Sequence, residues 1–205
     1  MLHYECIEPA TLELLKKLMQ LKELSGYKLS GGTALALHLG HRQSVDLDLF
    51  GNDLLDSFLP AEHDSLFKEV KILKQSERIR SYLIDHIKVD VITYSYKWLE
   101  VIPEIDYLRL ASMKDIAAMK LAAVTGRGSR KDFTDLYFLL DIFTLQEMLD
   151  FYGQKYPDGS AFMVLKSLSF FGDADTEPPL RMISKLSWSN IKTRILENVR
   201  KISQQ

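Results

Sequence analysis

The stretch LSGGTALALHLGHRQSVDLDLF, Leu29 to Phe50, begins with Gly31-Gly32 and ends with Asp46-Leu47-Asp48-Leu49-Phe50. Its last part alternates. Val45, Leu47 and Leu49 fall on one side and Asp46 and Asp48 on the other, the period of a strand with an apolar face and an acidic face. Two carboxylates at i and i+2 on one strand face repel, and each disfavours ionisation of the other. A divalent cation between them removes that conflict, and magnesium is held by one or two carboxylates with substrate phosphates completing its shell. At the other end, Tyr27 to Ser30 reads as a short strand, and a helix is expected from about Thr33. Glycines at such a junction let the backbone approach a phosphate, and the free N–H groups of the helix start point at it. The expected arrangement is a triphosphate cradled by Gly31, Gly32 and Thr33, with its neutralising metal on Asp46 and Asp48. Taken singly, Gly-Gly is most often a turn and Asp-x-Asp a solvated face. Their order along the chain, together with Asp90 in the apolar setting VDV, points to chemistry, with Asp90 as a third metal ligand from a neighbouring strand.

Working outward, Pro9-Ala-Thr11 opens an amphipathic helix that carries Leu12, Leu14, Leu15, Leu18, Leu21 and Leu24 and ends at Ser25-Gly26. Residues 53–69 read as mostly helical and 70–74 as a strand. RSYLIDHIKVDVITY reads as two strands joined near Asp85-His86, with Val89 and Val91 facing opposite to Lys88 and Asp90. After Pro103 the character changes. Ser112-x-x-Asp115 resembles a capping box ahead of a helix from 113 to 125. Gly126–Gly128 interrupts, and residues 130–143 form a second helix; further helices follow. Strands before residue 95 and helices after 105 argue an α+β fold: a mixed sheet with flanking helices over 1–105, then a mainly helical region over 106–205.

The composition is that of a globular protein: 205 residues, 46% apolar, 26% charged, formal net charge -2. That balance excludes wholesale polycation behaviour but leaves room for a local basic patch. Cys6 is the only cysteine, which excludes an intrachain disulfide and a cysteine-built zinc site. With no signal-peptide pattern and no apolar run of membrane-spanning length, a cytoplasmic protein without a membrane partner is expected.

The order hydrophobic strand, Gly-Gly, residues 33–45, Asp46-Leu-Asp48-Leu, then a later Asp resembles the nucleotidyltransferase superfamily signature. Within it, GGTALALHLGHRQSVDLDLF resembles the AbiEii family of nucleotidyl transferase toxins, whose first motif is Gly-[Gly/Ser]-Thr-Ala-Leu followed by His-Arg-x-[Ser/Thr]-x-Asp-[Leu/Ile]-Asp. His41, Arg42 and Ser44 fit that motif as the aspartates do. A second family motif is matched by Lys120-Leu121-Ala122-Ala123, Arg127, Lys131-Asp132 and Asp135-Leu136. On residue spacing alone, Lys120 is a snorkelling helix lysine, Asp132 a favourable first-turn charge and Lys131–Asp135 a weak i,i+4 pair.

The resemblance, convincing over residues 10–140, implies more. Lys120 and Arg42 would offset triphosphate charge, and Asp135 would serve the active site from the helical half. It implies transfer of a nucleoside monophosphate from a nucleoside triphosphate, with Mg2+ or Mn2+, to an acceptor such as the tRNA 3′ end, another RNA or a protein. It also implies a cognate antitoxin. Two other readings share these residues: a small-molecule, antibiotic-type nucleotidyltransferase, and a catalytically inactive nucleotide-binding module. A nuclease fits less well, because Val91-Ile92 follow Asp90 where that chemistry wants a nearby lysine.

Overall fold

The computed structural model describes residues 1–52, 66–183 and 185–204. They pack as two compact units. One comprises Met1–Gly40, Ser44–Tyr96 and Ile102–Ala111; the other comprises His41–Gln43, Lys97–Val101 and Ser112–Gln205.

The first unit is built on a five-stranded sheet in the order β1-β2-β5-β4-β3. Its strands are β1 Lys28–Ser30, β2 Leu47–Gly51, β3 Val70–Gln75, β4 Ile79–Ile84 and β5 Ile87–Thr93. The sheet is mixed: β2 and β5 run parallel, and the other pairs are antiparallel. Leu47, Leu49, Val89 and Val91 are buried on one face, as the alternation requires. The β4–β5 hairpin turns on Asp85 and His86, both at positive φ (48° and 67°). Two consecutive left-handed residues are the backbone of a tight turn that matches strand twist. The Asp85 carboxylate fastens it by accepting the N–H groups of Lys68 and Glu69 at 2.8 and 2.9 Å.

Two helices belong to this unit. Helix α1, Pro9–Gln20, buries Leu14, Leu15, Leu18 and Met19. It stops earlier than its leucine spacing predicts. Leu21 is extended, and a single 3-10 turn, Lys22–Leu24, keeps Leu24 in the core. The Arg109 guanidinium donates to the carbonyls of Met19, Leu24 and Tyr27 at 2.9–3.0 Å, supplying partners that a frayed helix end lacks. Helix α2, Gly31–Leu39, begins two residues before Thr33 and is buried from Thr33 to Leu37. The expected helix over residues 53–69 lies mostly outside the described residues; 66–69 form a turn.

The second unit is helical: α3 Met113–Gly126, α4 Arg130–Leu139, α5 Leu145–Lys155, α6 Ala161–Leu168, α7 Gly172–Thr176 and α8 Trp188–Ser203. Hydroxyl caps start five of them, from Ser112, Ser129, Thr144, Ser160 and Ser187. Ser112 is not half of a reciprocal capping box. It accepts the Asp115 N–H, but the Asp115 carboxylate reaches the N–H groups of Leu99 and Glu100 and the ammonium of buried Lys155. Phe133 fills the core beside Phe171, with ring centroids 4.7 Å apart. Among the described residues no helix is long and apolar enough to cross a membrane.

Candidate active site

The polar face of the sheet in the first unit carries a row of four side chains. Ser30 on β1 pairs with Asp48 on β2, Asp48 with Asp90 on β5, and Asp90 with Ser81 on β4. Register partners point to the same side of a sheet, so all four share one face, with neighbouring strands about 4.8 Å apart. Asp46 lies just before β2, and its carbonyl accepts from the Thr33 hydroxyl. Thr33 also bonds Ser44 at 2.8 Å and is buried. Its hydroxyl is therefore engaged inside the protein, where it anchors the start of the acidic strand.

Gly31 explains the opening of the motif. Its φ is +68°, and a methyl group at its Cα would lie 2.7 Å from Asp48 Oδ2. The backbone at the start of α2 thus passes directly against an acidic side chain, an approach that only glycine permits. Next to it, Ser30 Oγ is buried with no hydrogen-bond partner among the described residues.

Asp90 is oriented by two donors. Ser81 Oγ gives a hydrogen bond to Oδ1 at 2.6 Å and Lys88 Nζ one to Oδ2 at 2.6 Å. Burial works against the Lys88 ammonium, but its hydrogen bond to Asp90 and the negative fields of Asp90, Asp48 and Asp46 outweigh it and raise its pKa. A cation therefore already sits among the carboxylates, which marks the donor set as suited to positive charge. Among the described residues no group of three or more His, Cys, Asp or Glu closes into a metal cage by itself. The geometry suits magnesium, which needs only one or two carboxylates when phosphates supply the rest.

The second unit holds a different cluster. Asp135 on α4 is fully buried, as are Asp132 and, nearly so, Lys120 on α3. Asp135 Oδ1 accepts from His41 Nε2 at 2.8 Å and Arg42 Nε at 2.7 Å, and Oδ2 accepts from Arg42 Nη2 at 3.0 Å. Lys120 Nζ bridges the two aspartates, 2.6 Å from Asp135 Oδ2 and 2.9 Å from Asp132 Oδ1. Asp132 also accepts from Ser129 Oγ at 2.6 Å. His41 and Arg42 are held in place by backbone bonds on either side, Gln43 N–H to Arg181 O at 2.9 Å and Ile183 N–H to His41 O at 3.2 Å.

Burial pushes the Asp135 pKa up, but Arg42 and Lys120 overcome this and hold it well below the usual carboxylate range. Lys120 is raised: burial lowers it, and Asp135 and Asp132 more than reverse that. Asp135 is thus no surface partner of Lys131. Its three contacts come from His41, Arg42 and Lys120.

Of the basic residues after α3, Arg130 is tied down. Its Nε donates to Ala174 O at 3.2 Å, and its guanidinium lies 4.9 Å from the Trp188 ring centroid. Arg127 is 72% exposed, although its Nε lies 3.3 Å from Asp132. The sequence motifs did not single out Lys88, Ser81 or Ser30. The only available signal was parity: Lys88 lies two residues before Asp90 on the same strand.

The chain matches the family described as nucleotidyl transferase AbiEii toxin, type IV TA system, over residues 14–203. An uncharacterized protein of Aquifex aeolicus (strain VF5) is 37% identical over 172 residues, 80% of this chain and 83% of that one. Among solved structures, JHP933 from Helicobacter pylori superposes with a TM-score of 0.61 at 16% identity, covering 97% of this chain and 94% of that one. MenT4, a nucleotidyltransferase toxin from Mycobacterium tuberculosis H37Rv, gives a TM-score of 0.54 at 15% identity, over 97% of this chain and 86% of that one. At those identities the two structures speak for the fold alone.

Proposed function

This chain belongs to the AbiEii nucleotidyl transferase toxin family and is a nucleotidyltransferase; from that premise we propose that it transfers a nucleoside monophosphate from a nucleoside triphosphate to the 3′ hydroxyl of an RNA. The observation that carries the reading is the placement of Asp48 beside Asp90 on adjacent parallel strands, with the Gly31 backbone against Asp48.

The N–H groups at the start of α2 and the orphaned hydroxyl of Ser30 bind phosphate oxygens. Asp46, Asp48 and Asp90 would hold Mg2+ or Mn2+, which supplies charge neutralisation at the triphosphate. The acceptor oxygen attacks the α-phosphorus, forming the new P–O bond. The bond to the β-phosphate oxygen breaks, and pyrophosphate leaves with its electron pair. Asp90, oriented by Ser81, takes the hydroxyl proton. Lys120 and Arg42 meet triphosphate charge only by exchanging a contact with Asp135, so they and Asp135 act chiefly by fixing the fold around His41 and Arg42.

Support for an RNA acceptor comes from a groove of about 270 Å³ on the helical unit, lined by Arg127, Lys166, Phe170 and the Gly126–Gly128 backbone. Cations beside an exposed aromatic ring suit a single strand, by phosphate contact and base stacking. The family description names a toxin–antitoxin system, so a cognate antitoxin is the proposed protein partner.

The test is incorporation from each of four α-labelled nucleoside triphosphates, with Mg2+, into total bacterial RNA and protein. Label in RNA that vanishes with Asp48→Asn is the expected result. Label in protein alone overturns the acceptor assignment. Nucleotide binding without label in either polymer points to a small-molecule acceptor, and neither binding nor label points to an inactive module.

A further inference from the structure

Lys88 lies outside both family motifs, yet its ammonium is built into the acidic face. It precedes Asp90 by two residues on β5, so both side chains leave the same side of the sheet. Its Nζ is 2.6 Å from Asp90 Oδ2, while Ser81 fixes the other oxygen of that carboxylate. Asp48 is the register partner of Asp90, so the ammonium stands beside a second carboxylate strand.

We propose that Lys88 is a resident cation of the acidic face: its ammonium occupies Asp90 until a divalent metal binds, is displaced by that metal, and so sets the metal affinity of the site. The inference rests on the metal-binding reading of Asp46, Asp48 and Asp90 given above.

Three features suit Lys88 to this role. The first is electrostatic: carboxylates gathered on one face repel, and a nearby ammonium offsets that repulsion. The second is the residue type. Lysine is a compact charge on a flexible stem, able to leave one oxygen for another, whereas a guanidinium fork would hold the carboxylate in a fixed geometry. The third is access. The Lys88 side chain is 43% exposed, so it has somewhere to go, unlike Lys120 at 7%. Once displaced, the same ammonium is free to pair with the incoming triphosphate. Lys88 is in this sense a positioning residue that acts through Asp90.

The test is Mn2+ binding without nucleotide, followed by electron paramagnetic resonance, on the full chain. Lys88→Met is expected to bind Mn2+ on the order of tenfold more tightly than wild type, a modest factor because the ammonium is partly in solvent. Lys88→Arg should fall between wild type and Lys88→Met, since it keeps the charge but not the same seat. In an Asp90→Asn background, Lys88→Met should change Mn2+ affinity less than about twofold, because coupled residues are not additive.

Unchanged or weaker Mn2+ binding by Lys88→Met overturns the proposal. So does an equal gain in the Asp90→Asn background, which would make Lys88 only a distant field. If Lys88→Met does not fold, by circular dichroism, Lys88→Gln replaces it in the same cycle. If wild type binds no Mn2+ and Asp48→Asn changes nothing, the metal reading fails as well, a pattern distinct from a clear wild-type affinity that Lys88→Met leaves unmoved.

Discussion

Asp48 and Asp135 are both aspartates with basic groups near them, and they live under opposite conditions. Asp48 keeps part of its surface in solvent, on a face where Asp46 and Asp90 add charge of the same sign. Asp135 is fully buried, and both its oxygens are taken by His41, Arg42 and Lys120. The first setting concentrates negative charge where a solute can reach it. The second neutralises charge where nothing from solution enters without breaking an ion pair. On the function proposed above, the same residue type would serve ligand chemistry in one unit and architecture in the other.

The largest expected effect separates the two settings by stability. Breaking a buried ion pair from one side leaves the other charge uncompensated, at a cost of about 3–5 kcal/mol. Asp135→Ala should lower the unfolding free energy by that amount in urea titrations, whereas Asp48→Asn should leave it within about 0.5 kcal/mol of wild type. A cost for Asp135→Ala no larger than for an exposed aspartate would break the comparison.

By activity the order reverses. Asp48→Asn should reduce nucleotidyl transfer by roughly 10²–10³-fold, the scale of losing one preorganised electrostatic group. Label incorporation under single-turnover conditions measures this, and retained activity would remove Asp48 from the chemistry.

Gly31→Ala sharpens the picture of the acidic face. The added methyl group would meet Asp48 Oδ2 at 2.7 Å from a backbone at φ +68°. The Asp48 carboxylate can swing away, so the expected result is a stability loss of about 1 kcal/mol with a disproportionate loss of Mn2+ affinity. Unchanged Mn2+ binding would show that the close approach has no bearing on the metal.

The smallest effects lie in pH dependence. Asp135 is depressed below its ordinary value of 3.8, so its stabilisation is complete above that value and lost as pH falls through the lower folded value. Lys120 is raised above its ordinary 10.5, so its stabilisation is complete below that value and lost as pH rises through the folded one. Asp135→Asn should flatten the acid limb of stability below about pH 4 and Lys120→Met the alkaline limb above about pH 10.5, as read from melting temperature against pH.

Much of the acidic face was legible because strand parity is local. Leu47, Leu49, Val89 and Val91 announced their burial, and Asp48 and Asp90 their shared outlook, from alternation alone. The register that sets Asp48 against Asp90 was not legible, since pairing between strands 42 residues apart depends on the whole sheet. The ion network was less legible still. Lys120 read as a snorkelling side chain and Asp135 as half of a local pair, because helical spacing reports neighbours three and four residues away. Besides Lys120, the actual partners of Asp135 are His41 and Arg42, 94 and 93 residues back. The Asp115–Lys155 pair gave no local sign at all, at a separation of 40 residues. The early end of helix α1 was hidden for the same kind of reason: Arg109, 90 residues beyond Met19, donates to the Met19 carbonyl in its last turn and also to the Leu24 carbonyl of the 3-10 turn that follows.

The most direct test places Asp48→Asn and Asp135→Asn side by side, measuring nucleotidyl transfer and the unfolding midpoint of each. The account predicts that Asp48→Asn abolishes transfer with a wild-type midpoint, while Asp135→Asn lowers the midpoint and recovers transfer in proportion to its folded fraction at low temperature. A fully folded, inactive Asp135→Asn would place the buried network in the chemistry itself and contradict the division of labour drawn here.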